Sequence, residues 1–282
     1  MKREWYSCIA LALALAVAGC FGSGSLEDLR AKGQEALERR EYAEARGFFI
    51  RALEVDTRDK ASLVGLAQAY RQDSRYDSAI YYLKRADIMH PKDRDILNQI
   101  IEVAVALGDW QNAIDAIESM IRMGDPREPW HEKLADLWLK NGEQGRAFYH
   151  ARRAIAYGTE NPMIYLQAAN WAAQYDSMNV AFEVLDSAIS KFGPLDQFLV
   201  NKALLLAFVG QLRQGEALMR EVVAREDPPI PNIQLDLANI LAAQPERAKK
   251  QEALTIYREI RDLLAMQYPI DSLIEAVSAE LK

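Results

Sequence analysis

An all-α fold, a stack of antiparallel helix pairs, is predicted by three observations on this 282-residue chain. Small residues recur at a fixed interval: Ala45, Ala79, Ala113, Ala147 and Ala181 stand thirty-four residues apart, and the next step lands on Gly215. Apolar residues follow the same interval in further columns, and within a repeat they are spaced by three and four, as on a helix face rather than along a strand. Turn residues fall where the two helices of a repeat must reverse, at Ser74, Gly108, Gly142, Asp176 and Gly210. A fixed period of this length is the signature of a repeat array. The composition suits one long helical array, with 50% hydrophobic residues and only 14 glycines and 10 prolines.

The first nineteen residues stand outside the repeat. Lys2 and Arg3 precede an apolar run from Ile9 to Val17, which is a secretory signal in outline and too short to span a bilayer. Val17-Ala18-Gly19-Cys20 resembles a bacterial lipobox. The resemblance implies that residues 1–19 are removed, that the Cys20 sulfur receives a diacylglycerol, and that further acyl chains anchor the protein stably. Cys8 would leave with the leader, so no disulfide is expected within the mature chain. Bacterial lipoproteins kept in the inner membrane usually carry aspartate after the acylated cysteine. Phe21 holds that position here, so the expectation is the periplasmic face of the outer membrane. Residues 20–25 are the lipidated cysteine and a flexible spacer over 21–25, which reaches at most about 17 Å and would hold the folded body close to the membrane.

Six gapless units follow, over 26–59, 60–93, 94–127, 128–161, 162–195 and 196–229. A second column runs through Ala52, Ala86, Met120, Ala154, Ala188 and Val222, and a third through Phe49, Leu83, Ile117, Ala151, Leu185 and Met219. A fourth, on the first helix of each unit, holds Gly33, Ala67, Ile101, Ala135, Ala169 and Ala203. Pro91, Pro126, Pro162, Pro194 and Pro228 stand near unit ends, where they stop helices. Leu63, Leu66, Ala67, Tyr70, Tyr76, Ala79, Leu83, Ala86 and Pro91 together resemble the tetratricopeptide repeat family. That resemblance implies a right-handed superhelical solenoid. Residues 230–282 read as a degenerate seventh repeat whose second helix is displaced by about three residues, followed by a capping helix from Asp271 to Leu281.

In this family the first helix of each unit lines a binding groove, so the resemblance assigns groove positions. Units two and three contribute Gln68, Arg71, Gln72, Asn98 and Glu102, a polar set. Units five and six contribute Met163, Leu166, Asn170, Leu204, Ala207 and Phe208, suited to an amphipathic helix or an extended peptide. The alternative for Leu204 and Phe208 is packing against the terminal helices. Lys202 holds a position that is normally apolar. Family members that clamp a terminal carboxylate use lysine, asparagine and arginine at set positions. The first three units hold Arg30, Gln34, Gly65, Asp95 and Gln99 there, so that clamp is missing as a set.

Net charge of −7 and a pI near 5.2 give no broad basic field, which argues against nucleic acid as a partner. His90, His131 and His150 form no H-E-x-x-H motif, and they are expected at the surface or at helix ends with no metal role. No nucleophile elbow, P-loop or dinucleotide fingerprint is present. Trp110, Trp138 and Trp171 read as core or groove filling. The sequence therefore predicts a non-enzymatic scaffold or assembly factor that needs no cofactor, holds a protein or peptide, and meets the membrane through Cys20. A non-catalytic subunit of an envelope enzyme complex and a secreted soluble binding module are the alternatives.

Overall fold

One capping column sets where successive first helices begin. Ser25, Asp59, Asp93 and Asn161, at multiples of the repeat, each accept a hydrogen bond from a backbone N–H in the first turn of the helix they precede. The computed structural model describes residues 24–282 except 125, 126, 176, 226, 227 and 229, with the backbone alone described at 127 and 128. The leader over 1–19, the acylation site Cys20 and Phe21 lie outside the described residues, as do Pro126 and the turn residue Asp176.

The described residues form fifteen helices and no strand: α1 (Leu26–Glu38), α2 (Tyr42–Val55), α3 (Lys60–Gln72), α4 (Tyr76–Met89), α5 (Arg94–Leu107), α6 (Trp110–Arg122), α7 (Arg127–Lys140), α8 (Gln144–Ala156), α9 (Pro162–Gln174), α10 (Met178–Phe192), α11 (Asp196–Phe208), α12 (Leu212–Val223), α13 (Pro231–Ala242), α14 (Arg247–Leu264) and α15 (Ile270–Glu280). Left-handed residues close the turns within pairs: Ser74, Gly108, Gly142 and Gly210 have φ between 57° and 83°. Arg40 holds the same place in the first pair at φ 61°, a conformation costly for a residue with a Cβ and one its identity did not announce. No described helix is long and apolar enough to cross a membrane.

The chain divides into two compact units. The first runs to Trp130 and includes Lys140–Gly142; the second comprises His131–Leu139 and Glu143–Lys282. Inside the first unit each helix from α1 to α6 packs on the next, and α1 also touches α3. Ala45, Ala79 and Ala113 are fully buried, letting helix backbones approach, while Phe49, Leu83 and Ile117 fill the spaces between. Phe49 is the largest member of its column, and glycines on both sides make room for it. A Cβ on Gly33 would stand 2.7 Å from the ring, and one on Gly65 2.4 Å.

The second unit repeats this packing from α8 to α14, with Ala147, Ala181, Ala154 and Ala188 fully buried. At Gly215, where the column loses its alanine, a Cβ would lie 2.7 Å from the Ala203 carbonyl oxygen, so α12 approaches α11 more closely than alanine permits. Lys202 leaves the register intact, because Ala203 beside it is fully buried while the lysine ammonium pairs with Asp186. In α14 the residues occupying the three second-helix columns are Ala253, Tyr257 and Ile260, a displacement of four residues rather than about three. A full extra turn explains it: α14 has 18 residues and starts where the unshifted repeat would begin. Ile270 and Val277 of α15 bury against α14 and cover the end of the second unit.

Candidate protein-binding groove

In the first unit, α1, α3 and α5 surround an open hollow of about 810 Å³ whose lining includes Arg30, Gln34, Gln68, Asn98 and Gln99. A neighbouring hollow of about 470 Å³ is lined by Gln34, Gln68, Arg71 and Gln72 among others. Four of the five groove positions assigned to units two and three thus line these hollows. The fifth, Glu102, lines neither and forms an ion pair with Arg71.

The cations here are bound to carboxylates about one repeat away. Arg30 donates from Nε to Asp59 at 2.9 Å, and Lys60 pairs with Asp93. Asp59 caps α3 at the same time, accepting from the Ser62 N–H at 2.8 Å. Burial alone would raise the Asp59 carboxyl, but the hydrogen bonds from Arg30 and Ser62 outweigh it and hold it below the usual carboxylate range. With Arg30 so committed and Gly65 lacking a side chain, the face offers amides rather than a carboxylate grip. Gln68 already donates to Gln99 at 3.3 Å, an exchangeable contact that a peptide backbone could replace.

The corresponding face of the second unit is apolar. Met163, Asn170, Leu204 and Phe208 are exposed, Phe208 to 76% and Leu204 to 38%, so the terminal helices do not bury these two side chains, although Ala207 beside them packs against the C-terminal cluster. Ala207 is half-buried. Leu166 departs from its assignment: it is 7% exposed, within a helix packed on one side by α8 and on the other by α10, and belongs to the core.

The histidines also depart from expectation. His131 is 6% exposed and lies 2.8 Å from His150, Nδ1 to Nδ1, with its ring stacked on Tyr157. Burial, then the neighbouring His131 and Arg153, pushes His150 down to about 4. Nineteen residues separate the two in sequence, a spacing that only the α7–α8 reversal brings together. His90 stays near the surface, within hydrogen-bond reach of the Arg58 carbonyl at 2.6 Å. No group of three or more histidine, cysteine, aspartate or glutamate side chains suited to a metal occurs among the described residues. Trp138 and Trp171 are buried in the core and Trp110 is half-buried.

The family model described as anaphase-promoting complex, cyclosome, subunit 3 matches residues 38–120. A structure of Naa15/Naa10 bound to HypK-THB aligns with a TM-score of 0.66 at 14% identity, covering 88% of this chain and 39% of that one. A tetratricopeptide repeat protein from Parabacteroides merdae aligns over 90% of this chain and 98% of its own at 15% identity, with a TM-score of 0.43. YrrB, a TPR protein with an unusual peptide-binding site, aligns over 60% of this chain and 88% of its own at 17% identity and a TM-score of 0.44. The chain spans well under half of the Naa15/Naa10 chain it matches. No curated protein matches it. With its thirty-four-residue columns buried between paired helices, a family model matching its first units and a helical array of the same fold in a solved structure, the chain has the paired-helix fold of a tetratricopeptide-repeat array.

Proposed function

We propose that the chain is a protein-interaction scaffold or assembly factor of the bacterial cell envelope, anchored through acylated Cys20 at the periplasmic face of the outer membrane. The observation that carries the binding half of this reading is the bare apolar face of α11. Leu204 and Phe208 lie four residues apart on one helix face, exposed, next to the polar Asn201. Covering a phenylalanine and a leucine side chain is worth about 2 kcal/mol each, enough to anchor an amphipathic partner segment. The anchoring half rests on Val17-Ala18-Gly19-Cys20 together with the charge and apolar run before it.

The test is cross-linking and affinity capture from native membranes, followed by mass spectrometry. Wild type is compared with a Leu204→Glu/Phe208→Glu variant whose circular dichroism is unchanged. A partner held by wild type and weakened at least about tenfold in the variant supports the groove. Capture unaffected by the variant removes α11 from the binding surface. The mass of the mature N-terminus decides the anchor: added acyl groups support it, and a bare Cys20 or an intact leader overturns it.

A further inference from the structure

The first unit shows how neighbouring first helices meet. Gln68 stands nine residues after the cap Asp59 and Gln99 six after the cap Asp93; they hydrogen-bond between α3 and α5, and both line the open hollow there. Counted from the caps Leu195 and Ile230, the same two positions in the second unit hold Leu204 and Asp236. Burial keeps the same count, since Ala203 and Ala238, eight residues after those caps, are both fully buried. Packing points the same way. Val200 and Ala207 flank Leu204 on one face of α11, and both pack against the core that includes Leu235 and Ala238 of α13, the helix α11 touches. Asp236 therefore stands at the α13 edge of the bare apolar face.

Charge on the helices of this face is sparse. α9 carries none, α11 carries Asp196 and Lys202, and α13 carries Asp236. Asp196 accepts from Arg225 at 2.8 Å, and Lys202 pairs with Asp186. Asp236 is half-buried and has neither a hydrogen-bond nor an ion-pair partner among the described residues. Burial raises its carboxyl, and no neighbouring cation offsets the shift. One uncompensated negative charge is thus set beside two exposed apolar side chains.

We propose that the partner segment taken by this face is basic as well as amphipathic, its apolar side chains covering Leu204 and Phe208 and a lysine or arginine beside them pairing with Asp236. This rests on the reading of α11 as a binding surface and adds what that surface selects. A purely apolar segment laid over α11 would take the Asp236 carboxylate further out of water and leave it unpaired, which opposes binding. An acidic segment would set like charges together. A basic side chain avoids both penalties, and the apolar surroundings strengthen its contact with the carboxylate.

The test uses three fluorescein-labelled synthetic helices that share an apolar leucine stripe and differ in one residue beside it: lysine, methionine or glutamate. Binding to the full chain is followed by fluorescence polarisation at low ionic strength. The lysine peptide should bind about fivefold tighter than the methionine peptide, the size of one partly exposed charge contact, and the glutamate peptide should bind weakest. Asp236→Asn, nearly unchanged in volume, should equalise lysine and methionine, and Asp236→Lys should invert the order in favour of glutamate. Because Asp236 has no partner to lose, Asp236→Asn should leave the melting temperature unchanged or higher; a fall would show that the carboxylate serves the fold and would overturn the proposal. Equal binding of the lysine and methionine peptides to wild type, or a lysine preference that survives Asp236→Asn, would overturn it and leave the groove standing, so long as Leu204→Glu/Phe208→Glu abolishes binding. Binding of none of the three peptides, or binding that Leu204→Glu/Phe208→Glu retains in full, would overturn the groove itself and this inference with it.

Discussion

In the first unit, the cations on the first-helix face are tied to carboxylates about a repeat away, and amides line the hollows between them. In the second unit the same face leaves Leu204 and Phe208 bare. Both faces rest on the same buried columns, Ala79 and Ala113 in one and Ala147 and Ala181 in the other. The columns fix how helices approach and leave the exposed positions free to diverge, so whatever distinguishes one binding surface from another lies outside the repeat consensus.

The units also differ in how they absorb a departure from the repeat. The first keeps its helix lengths and fits an oversized Phe49 between Gly33 and Gly65. The second adds a turn to α14 and ties it down with charge. Glu216 accepts from Gln244 at 2.7 Å and Arg220 at 2.8 Å and pairs with Lys249, while Arg220 also grips Glu252 at 2.7 and 2.8 Å. Apolar fit and ionic fit break differently. The largest expected effect is Gly65→Ala, whose methyl group meets a buried ring that has nowhere to move. Overpacking should outweigh the gain in helix propensity and cost about 2 kcal/mol, read by chemical denaturation. Phe49→Leu, the residue type this column carries at Leu83 and Leu185, should relieve most of it, so the double variant is more stable than the sum of the single changes predicts. Additive costs would show that the glycine is not there for the ring.

The next effect tests the ionic device. Lys249→Met strips one donor from a carboxylate that is 7% exposed, and at neutral pH it should cost about 1–2 kcal/mol, less than a fully buried pair because Gln244 and Arg220 remain. Burial alone would raise Glu216, but the hydrogen bonds from Lys249, Gln244 and Arg220 hold it at about 2, against an ordinary value of 4.5. A carboxyl depressed on folding contributes stability above its unfolded value and loses it as the pH falls through the folded one. The difference between wild type and Lys249→Met should therefore shrink between pH 4.5 and 2. A difference constant across that window would mean that packing of the lysine stem, not its charge, is what counts.

How much of this could be read from the residues follows from what each feature depends on. The columns were readable because burial at a fixed period constrains residue size, and all four are buried in both units. The capping and turn positions, among them Asp59, Ser74 and Gly108, carry residue types that state their role. Arg40 shares the turn conformation of Ser74 without the chemistry for it, so only the recurrence of position could have found it. Leu166 was misplaced because a family rule gives a direction on the helix and not how closely α8 and α10 flank it. The four-residue displacement of α14 needed its buried face, since Ala253 fits both the shifted and the unshifted column.

The smallest expected effect distinguishes the units by pH. The second contains an imidazole pair of a buried His131 and a half-buried His150, and among the described residues the first has only His90, near its surface. The Nδ1–Nδ1 contact between His131 and His150 requires one nitrogen to donate and the other to accept, which charging both rings would abolish. His150 ordinarily titrates at 6.5 and is held at about 4 by burial, then by His131 and Arg153. Between these values the unfolded chain binds the proton and the folded chain does not, so stability falls as the pH drops through 6.5 toward 4. Because His150 retains some solvent contact, the expected loss between pH 7.5 and 5 is modest, about 3 °C in melting temperature. His150→Phe keeps a ring in place and removes the titration. It should lower the melting temperature at pH 7.5, where the hydrogen bond between the two rings is lost, and flatten the decline toward pH 5. A slope the substitution leaves unchanged would assign the acid sensitivity to carboxylate pairs such as Arg220–Glu252, and the imidazole contact would then be a packing feature alone.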